Sequence, residues 1–220
     1  MPPPHLYPPI GGPPPGPGAP PPPPGGGAGG GLSSGPNVKL MFPMIGAPGE
    51  VRAAKAMLDE ARGELRAAGL AFDERMEVGI MIEVPSAVAV ADQLAREVDF
   101  FSIGTNDLTQ YVMAADRGNA RVAALANPFQ PAVLRLVRQA VDAAHAAGIW
   151  IGMCGELAGN PLATPVLLGL GLDELSMSAP AIPAVKEAVR RLSLEDARHI
   201  AAEALAADSV EDVLRYLKGL

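Results

Sequence analysis

From Lys39 onward, short apolar runs alternate with longer stretches whose apolar residues recur every three or four positions. This is the pattern of strands alternating with helices. Strands are predicted at Lys39–Ile45, Val78–Ile82, Phe100–Ile103, Ile149–Met153 and Glu174–Met177. A helix is predicted over Glu50–Ala68, where Val51, Ala54, Leu58, Ala61, Leu65 and Ala68 form one stripe and Gly69 provides the stop. Ser86 is placed to cap a helix reaching about Arg96. The third strand leads into a long connection through Asp116-Arg117-Gly118-Asn119. Pro131–Ala147 carries Val133, Val137, Ala140, Val141 and Ala144 on one face and ends at Gly148. A short helix follows over Leu162–Leu168. Three terminal helices then span Pro183–Arg191, Ser193–Leu205 and Ser209–Leu217, with Pro183 in a first turn and Ser193 and Ser209 as caps.

Strict alternation implies parallel strands joined by right-handed crossovers. A closed (β/α)₈ barrel needs eight strands and typically about 250 residues. Five strands are legible here, and the deficit lies at the N-terminal end. The expected fold class is therefore α/β: a partial TIM-type (β/α) barrel, about its last five strands, over residues 38–220.

Residues 1–36 hold 15 Pro and 11 Gly, and the first charged side chain is Lys39. Such a segment buries too little apolar surface to offset its ordering entropy, so residues 1–37 are expected to be disordered with polyproline II character. They lack the basic start and apolar core of a signal peptide. No run approaches a transmembrane span, so membrane insertion is not expected. The net charge of −7 argues against nucleic-acid binding. A single cysteine excludes an internal disulfide and fits a reducing cytoplasm.

The chemistry-bearing residues stand where strands end. Glu83 closes the run Gly79–Ile82, Asn106 and Asp107 close Phe100–Thr105, and Cys154 and Glu156 close Ile149–Met153. In a parallel barrel these ends open on one face, where active sites sit. Glu83 and Asp107 are hard oxygen ligands suited to Mg²⁺, which takes one or two carboxylates and completes its shell with water and substrate oxygens. Helix capping or a salt bridge is the alternative role for either. Gly104-Thr105-Asn106-Asp107 offers backbone N–H groups and a carboxamide at a strand-to-helix turn, a setting for an anion. Arg117 follows in a Gly/Asn-flanked loop and is either a bidentate anion ligand or a solvated loop arginine. Cys154 is either a neutral thiol acting as a general acid or a buried structural cysteine. Glu156 is placed to orient a neighbour or cap Gly159-Asn160-Pro161. His5, His145 and His199 have no catalytic setting.

Taken together, Leu40-Met41-Phe42-Pro43-Met44-Ile45, Gly79-Ile80-Met81-Ile82-Glu83-Val84-Pro85, Phe100 through Tyr111, Asp116-Arg117-Gly118-Asn119 and Gly152-Met153-Cys154-Gly155-Glu156-Leu157-Ala158-Gly159 resemble the phosphoenolpyruvate-utilising enzyme family. They come in the family's order and cover about residues 38–217. The last two motifs resemble the enzyme I branch, the phosphoenolpyruvate–protein phosphotransferases of the bacterial sugar phosphotransferase system. They are less like pyruvate phosphate dikinase or phosphoenolpyruvate synthase, the alternative branch.

The resemblance implies that Glu83 and Asp107 bind Mg²⁺, that Asn106, Asp107 and Arg117 hold phosphoenolpyruvate, with the phosphate on Asn106 and Arg117, and that Cys154 protonates the enolate carbon to give pyruvate. It implies a homodimer and a histidine-containing phosphocarrier protein as partner. The family's phosphorylatable-histidine motif, of Gly-Gly-x-x-Ser-His type, does not occur in the chain. Its further phosphate-clamping arginines would lie upstream of Lys39, where Pro/Gly-rich sequence stands. The expectation is weak or no phosphotransfer by this chain alone, with open sheet edges at residues 39–45 and 174–178. A non-catalytic half-barrel that pairs with a full-length relative is the alternative function.

Overall fold

The computed structural model describes residues 38–220. The expected disorder of residues 1–37 lies outside the described residues. Among the described residues five strands form a single sheet: β1 (Leu40–Phe42), β2 (Val78–Ile82), β3 (Phe100–Gly104), β4 (Trp150–Cys154) and β5 (Glu174–Leu175). Every pair is parallel and the spatial order is β1-β2-β3-β4-β5, the order of the sequence. A consecutive order with crossovers of one hand puts the connecting helices on the same face of the sheet. All five predicted strands are present. The first is shorter than Lys39–Ile45 because Met44, at φ 57°, turns the chain out of extended conformation.

The helices are α1 (Pro48–Ala67), α2 (Pro85–Ala89), α3 (Ala91–Leu94), α4 (Thr105–Met113), α5 (Pro131–Ala147), α6 (Thr164–Leu170), α7 (Ile182–Arg190), α8 (Leu194–Ala206) and α9 (Val210–Lys218). Gly148 takes the left-handed conformation that ends α5, with its N–H on the His145 carbonyl. Ser193 and Ser209 cap α8 and α9, each accepting from the backbone N–H three residues on.

Two helical expectations change. Ser86 is not a cap: Val84 holds that position and Pro85 opens the helix, where its missing N–H is no loss. The segment reaching toward Arg96 bends at Val90 (φ −118°, ψ 24°), so that Val88 of α2 and Leu94 of α3 are both buried. The long connection after β3 begins with α4. Its buried side includes Thr105 and Thr109 beside Leu108, so the apolar periodicity that announces a helix is interrupted.

The register builds the core in layers. Ile80, Phe101 and Ile151 lie side by side across β2–β4, and Ile82, Ile103 and Met153 form the next row. All six side chains are fully buried in one cluster with Val133, Val137 and Val141 of α5 and Leu167 of α6. Burying each large aliphatic or aromatic chain contributes about 1.5–3 kcal/mol.

The other sheet face is more open. Gly79, Phe100 and Trp150 stand in register there, then Met81, Ser102, Gly152 and Glu174. A side chain at Gly79 would collide with the Phe100 ring, 2.5 Å from an ideal Cβ. Without one, the ring lies over β2 and stacks on Trp150 at 4.4 Å and 7°. Lys39 sits over Trp150 at 4.9 Å and pairs with Glu77, which also accepts the indole N–H at 3.1 Å.

α6 and α8 meet at Gly169, where an ideal Cβ would lie 1.9 Å from the Ala197 carbonyl oxygen. Gly169→Ala must push the helices apart and is expected to cost about 1–3 kcal/mol in urea unfolding. Unchanged stability would contradict this packing.

Candidate functional site

The same register assembles the polar groups at the C-terminal rim. Gly104 pairs with Cys154, and Glu83 follows directly on Ile82, which pairs with Ile103. Glu83, Gly104 and Cys154 thus end three neighbouring strands on the open face of the sheet. Gly104 is required there, since a Cβ would lie 2.8 Å from Glu83 Oε2 and 2.9 Å from Met81 Sδ.

Glu83 is 3% exposed, and its Oε1 accepts the Met44 backbone N–H at 2.7 Å. That bond holds Met44 in its left-handed conformation with the side chain 51% exposed. Burial pushes the Glu83 carboxyl above the usual carboxylate range. The Met44 N–H opposes the rise and the nearby Asp107 adds to it. Two carboxylates crowded at a buried rim suit a divalent cation, which removes both the desolvation and the repulsion. Among the described residues no group of three His, Cys, Asp or Glu side chains gathers as a metal cage. A two-carboxylate set is the kind Mg²⁺ uses when water and substrate oxygens complete its shell.

Asp107 sits in the first turn of α4, whose N-terminus has no side-chain cap. Its partner is Arg117, at 3.4 Å. A β-turn-like loop delivers that arginine: the Asp116 carboxylate accepts the Gly118 N–H at 2.7 Å, and Gln110 Oε1 of α4 accepts the Arg117 N–H at 3.2 Å. Arg117, Asn106, Thr109 and Glu156 line a cavity of about 410 Å³. A further cavity of about 470 Å³ adjoins it at Asn106 and Glu156 and reaches Ser176 and Ser178 after β5. Glu156 is exposed in both and makes no cap for the Asn160 turn, whose backbone N–H bonds to the Leu157 carbonyl.

Cys154 is half-buried, its thiol donating to the Ile103 carbonyl at 3.5 Å. Burial raises its pKa first. The Ser102 hydroxyl opposes this, while Glu83 and Asp107 add to it. The thiol is therefore held protonated at neutral pH, the state a proton donor needs. Thr105 Oγ1 donates to the Cys154 carbonyl at 3.0 Å and ties the ends of β3 and β4. Gly155, at φ 97°, makes that approach possible, since a Cβ there would meet Thr105 Oγ1 at 2.6 Å.

All the sequence-predicted site residues converge on this rim. Met44 and Ser102, which act on Glu83 and Cys154, and the buried Thr109 were not singled out by the sequence pattern, and Thr105, named there only as part of the strand-to-helix turn, also ties β3 to β4 through its side chain. His145 is remote from the rim and pairs with Asp173 at 3.0 Å.

The raised Glu83 pKa sets a pH dependence. The folded state holds this proton more tightly than the unfolded state, so Glu83 weakens the fold as pH rises from about 4.3 through its raised value. Glu83→Gln removes the buried charge and keeps an acceptor for Met44. In metal-free thermal melts from pH 4 to 8, the variant should melt above wild type at neutral pH, with the gap closing in acid. A variant that melts lower throughout would contradict the assignment.

Known proteins are similar to most of this chain. Residues 30–194 match the PEP-binding domain of the PEP-utilising enzymes. The chain is 52% identical over 182 residues to the phosphoenolpyruvate-protein phosphotransferase of Geobacillus stearothermophilus and 50% identical over 182 residues to that of Bacillus subtilis. In each case the match covers 83% of this chain and 32% of the relative. Identity to the Haemophilus influenzae phosphotransferase is 51% over 174 residues, 79% of this chain and 30% of the relative. The chain thus spans about a third of the length of the curated relatives it matches. A solved structure of protein CitE from Mycobacterium tuberculosis in complex with magnesium and acetate aligns over 76% of this chain and 73% of that one. Its TM-score of 0.42 and 15% identity are too low to add to the account. By its matched domain, the chain belongs to the family of PEP-utilising enzymes.

Proposed function

We propose that residues 38–220 are the later sector of a (β/α) barrel that binds phosphoenolpyruvate, as part of a phosphoenolpyruvate–protein phosphotransferase of the enzyme I type. The observation that carries this reading is the buried Glu83 carboxylate beside Asp107, with Arg117 and Asn106 on the same rim. The consecutive parallel order supports the barrel sector, with the half-open sheet face as part of its interior. The names of the relatives at 50–52% identity favour enzyme I over the dikinase and synthase branch.

In this reading Glu83 and Asp107 hold Mg²⁺. Bound there, the ion would neutralise the carboxylate pair and stabilise charge developing on substrate oxygens. Arg117 turns from Asp107 toward the phosphate, which it suits as a bidentate donor. The Asn106 carboxamide and the uncapped N–H groups of α4 supply further donors. Once the phosphoryl group leaves for an acceptor histidine, the enolate's methylene carbon takes the proton of Cys154 Sγ. The electron pair of the S–H bond stays on sulfur, and solvent restores the thiol. The acceptor is a protein histidine outside this chain's motifs, and the histidine-containing phosphocarrier protein receives the phosphate in turn. Ile182 and Val189, both exposed on α7 two turns apart, offer apolar contacts for a homodimer. The lone free cysteine fits a cytoplasmic setting. Among the described residues no helix is long and apolar enough to cross a membrane.

Isothermal titration of the full chain with phosphoenolpyruvate tests the proposal. Binding should require Mg²⁺ and vanish in Asp107→Ala. Arg117→Ala should weaken it by about one to two decades, the worth of a charge-assisted hydrogen bond. Mg²⁺-independent binding, or none by a folded chain, would overturn the reading. Cys154→Ala should bind phosphoenolpyruvate as wild type does, and should release pyruvate at least about 100-fold more slowly when a separate histidine-bearing acceptor with no phosphoenolpyruvate site of its own is supplied. Equal rates would remove Cys154 as the proton donor.

A further inference from the structure

Thr109 is a polar residue with no task in the site so far. It is 2% exposed, and its hydroxyl has no hydrogen-bond partner among the described residues. An orphaned buried hydroxyl costs more than a solvated one, and each such group calls for an explanation. A mid-helix threonine commonly bonds the carbonyl four residues back, but this one does not. It lines the 410 Å³ cavity together with Asn106 and Arg117. Asn106 lies three residues earlier on α4, so the two side chains are neighbours on one helix face.

A carboxamide that serves an anion must present its N–H₂ and turn its oxygen away. Asn106 Oδ1 now lies on the Gly155 side, 3.4 Å from where a Cβ on that glycine would stand. A donor one turn further along α4 would take the oxygen and leave the N–H₂ facing the cavity. We propose that Thr109 is a positioning residue whose hydroxyl accepts no role in the empty site but donates to Asn106 Oδ1 when an anionic ligand is seated, fixing the amide with its N–H₂ toward the phosphate. The inference rests on the reading of this cavity as the phosphate end of the site. It gives the hydroxyl a partner in the bound state alone, so its cost in the free state becomes part of the affinity.

The probe is phosphoenolpyruvate with Mg²⁺, titrated calorimetrically into the full chain. Thr109→Val keeps the shape and removes the donor. It should weaken binding about 3- to 10-fold, the worth of one neutral hydrogen bond, while Thr109→Ser stays within about 2-fold of wild type. The ligand-free melting temperature of Thr109→Val should equal or exceed that of wild type, because an unpaired buried hydroxyl has been removed. In an Asn106→Ala background the valine substitution should cost nothing further. Three results would overturn the inference: wild-type affinity in Thr109→Val, an equal loss with and without Asn106, or a ligand-free melting temperature that falls along with affinity. If Arg117→Ala weakens binding by about one to two decades while Thr109→Val does not alter it, the inference fails and the phosphate site stands. If folded wild type does not bind at all, the site reading fails and this inference falls with it.

Discussion

A carboxylate buried at the end of a strand is the constraint around which the rim is arranged. Glu83 keeps its place through one backbone hydrogen bond, from a residue in the left-handed region, and lies over a glycine on the next strand. Each of these features makes sense only with the others. A side chain at position 104 would occupy the space of the carboxylate. A relaxed Met44 would withdraw the one N–H that satisfies it. The nearby Asp107 makes the arrangement less favourable in the empty protein. A strained backbone and crowded like charges are expected where a site is prepared for a cation rather than optimised for the fold.

The fold absorbs that cost on the opposite face of the same strands. Ile80, Ile82, Phe101, Ile103, Ile151 and Met153 are fully buried, while their alternate neighbours form the rim and the open face. The period-two alternation of β-strands therefore links stability and chemistry. A one-residue slip of β3 against β2 would carry Gly104 away from Glu83 and turn Ile103 outward. The parallel register fixes the relation between the carboxylates and the thiol, and the small residues Gly104 and Gly155 let the strand ends close to hydrogen-bonding distance.

The sheet was largely legible in the sequence, because its strands are short apolar runs separated by helical periodicity. The N-terminal caps of α8 and α9 and the glycine stop of α5 were legible for the same local reason: one residue type satisfies a local backbone demand. The start of α4 was legible as the strand-to-helix turn at Gly104–Asp107, but its extent was not, because Thr105 and Thr109 occupy positions that an ordinary amphipathic helix gives to aliphatic residues. Ser86 misled because proline and a preceding extended valine opened α2 without a side-chain cap. The direct site candidates, Glu83, Asn106, Asp107, Arg117 and Cys154, could be picked out as polar residues ending apolar runs or lying in a Gly-rich loop. Met44 could not, since its contribution is a backbone N–H and a φ angle, which a methionine does not announce. Thr105 and Ser102 act on the thiol's strand through distances set by register, which no local pattern records.

In the proposed function Glu83 and Asp107 would share one divalent cation against an anionic ligand held by Arg117. The most direct measurement is a crystal structure of the chain grown with Mn²⁺ and oxalate, a planar dianion that mimics the enolate of pyruvate, with data collected at the manganese edge. One anomalous peak is expected between the two carboxylates, with oxalate on the Arg117 side of the rim. Anomalous density elsewhere, or a metal bound by only one of the two carboxylates, would contradict it.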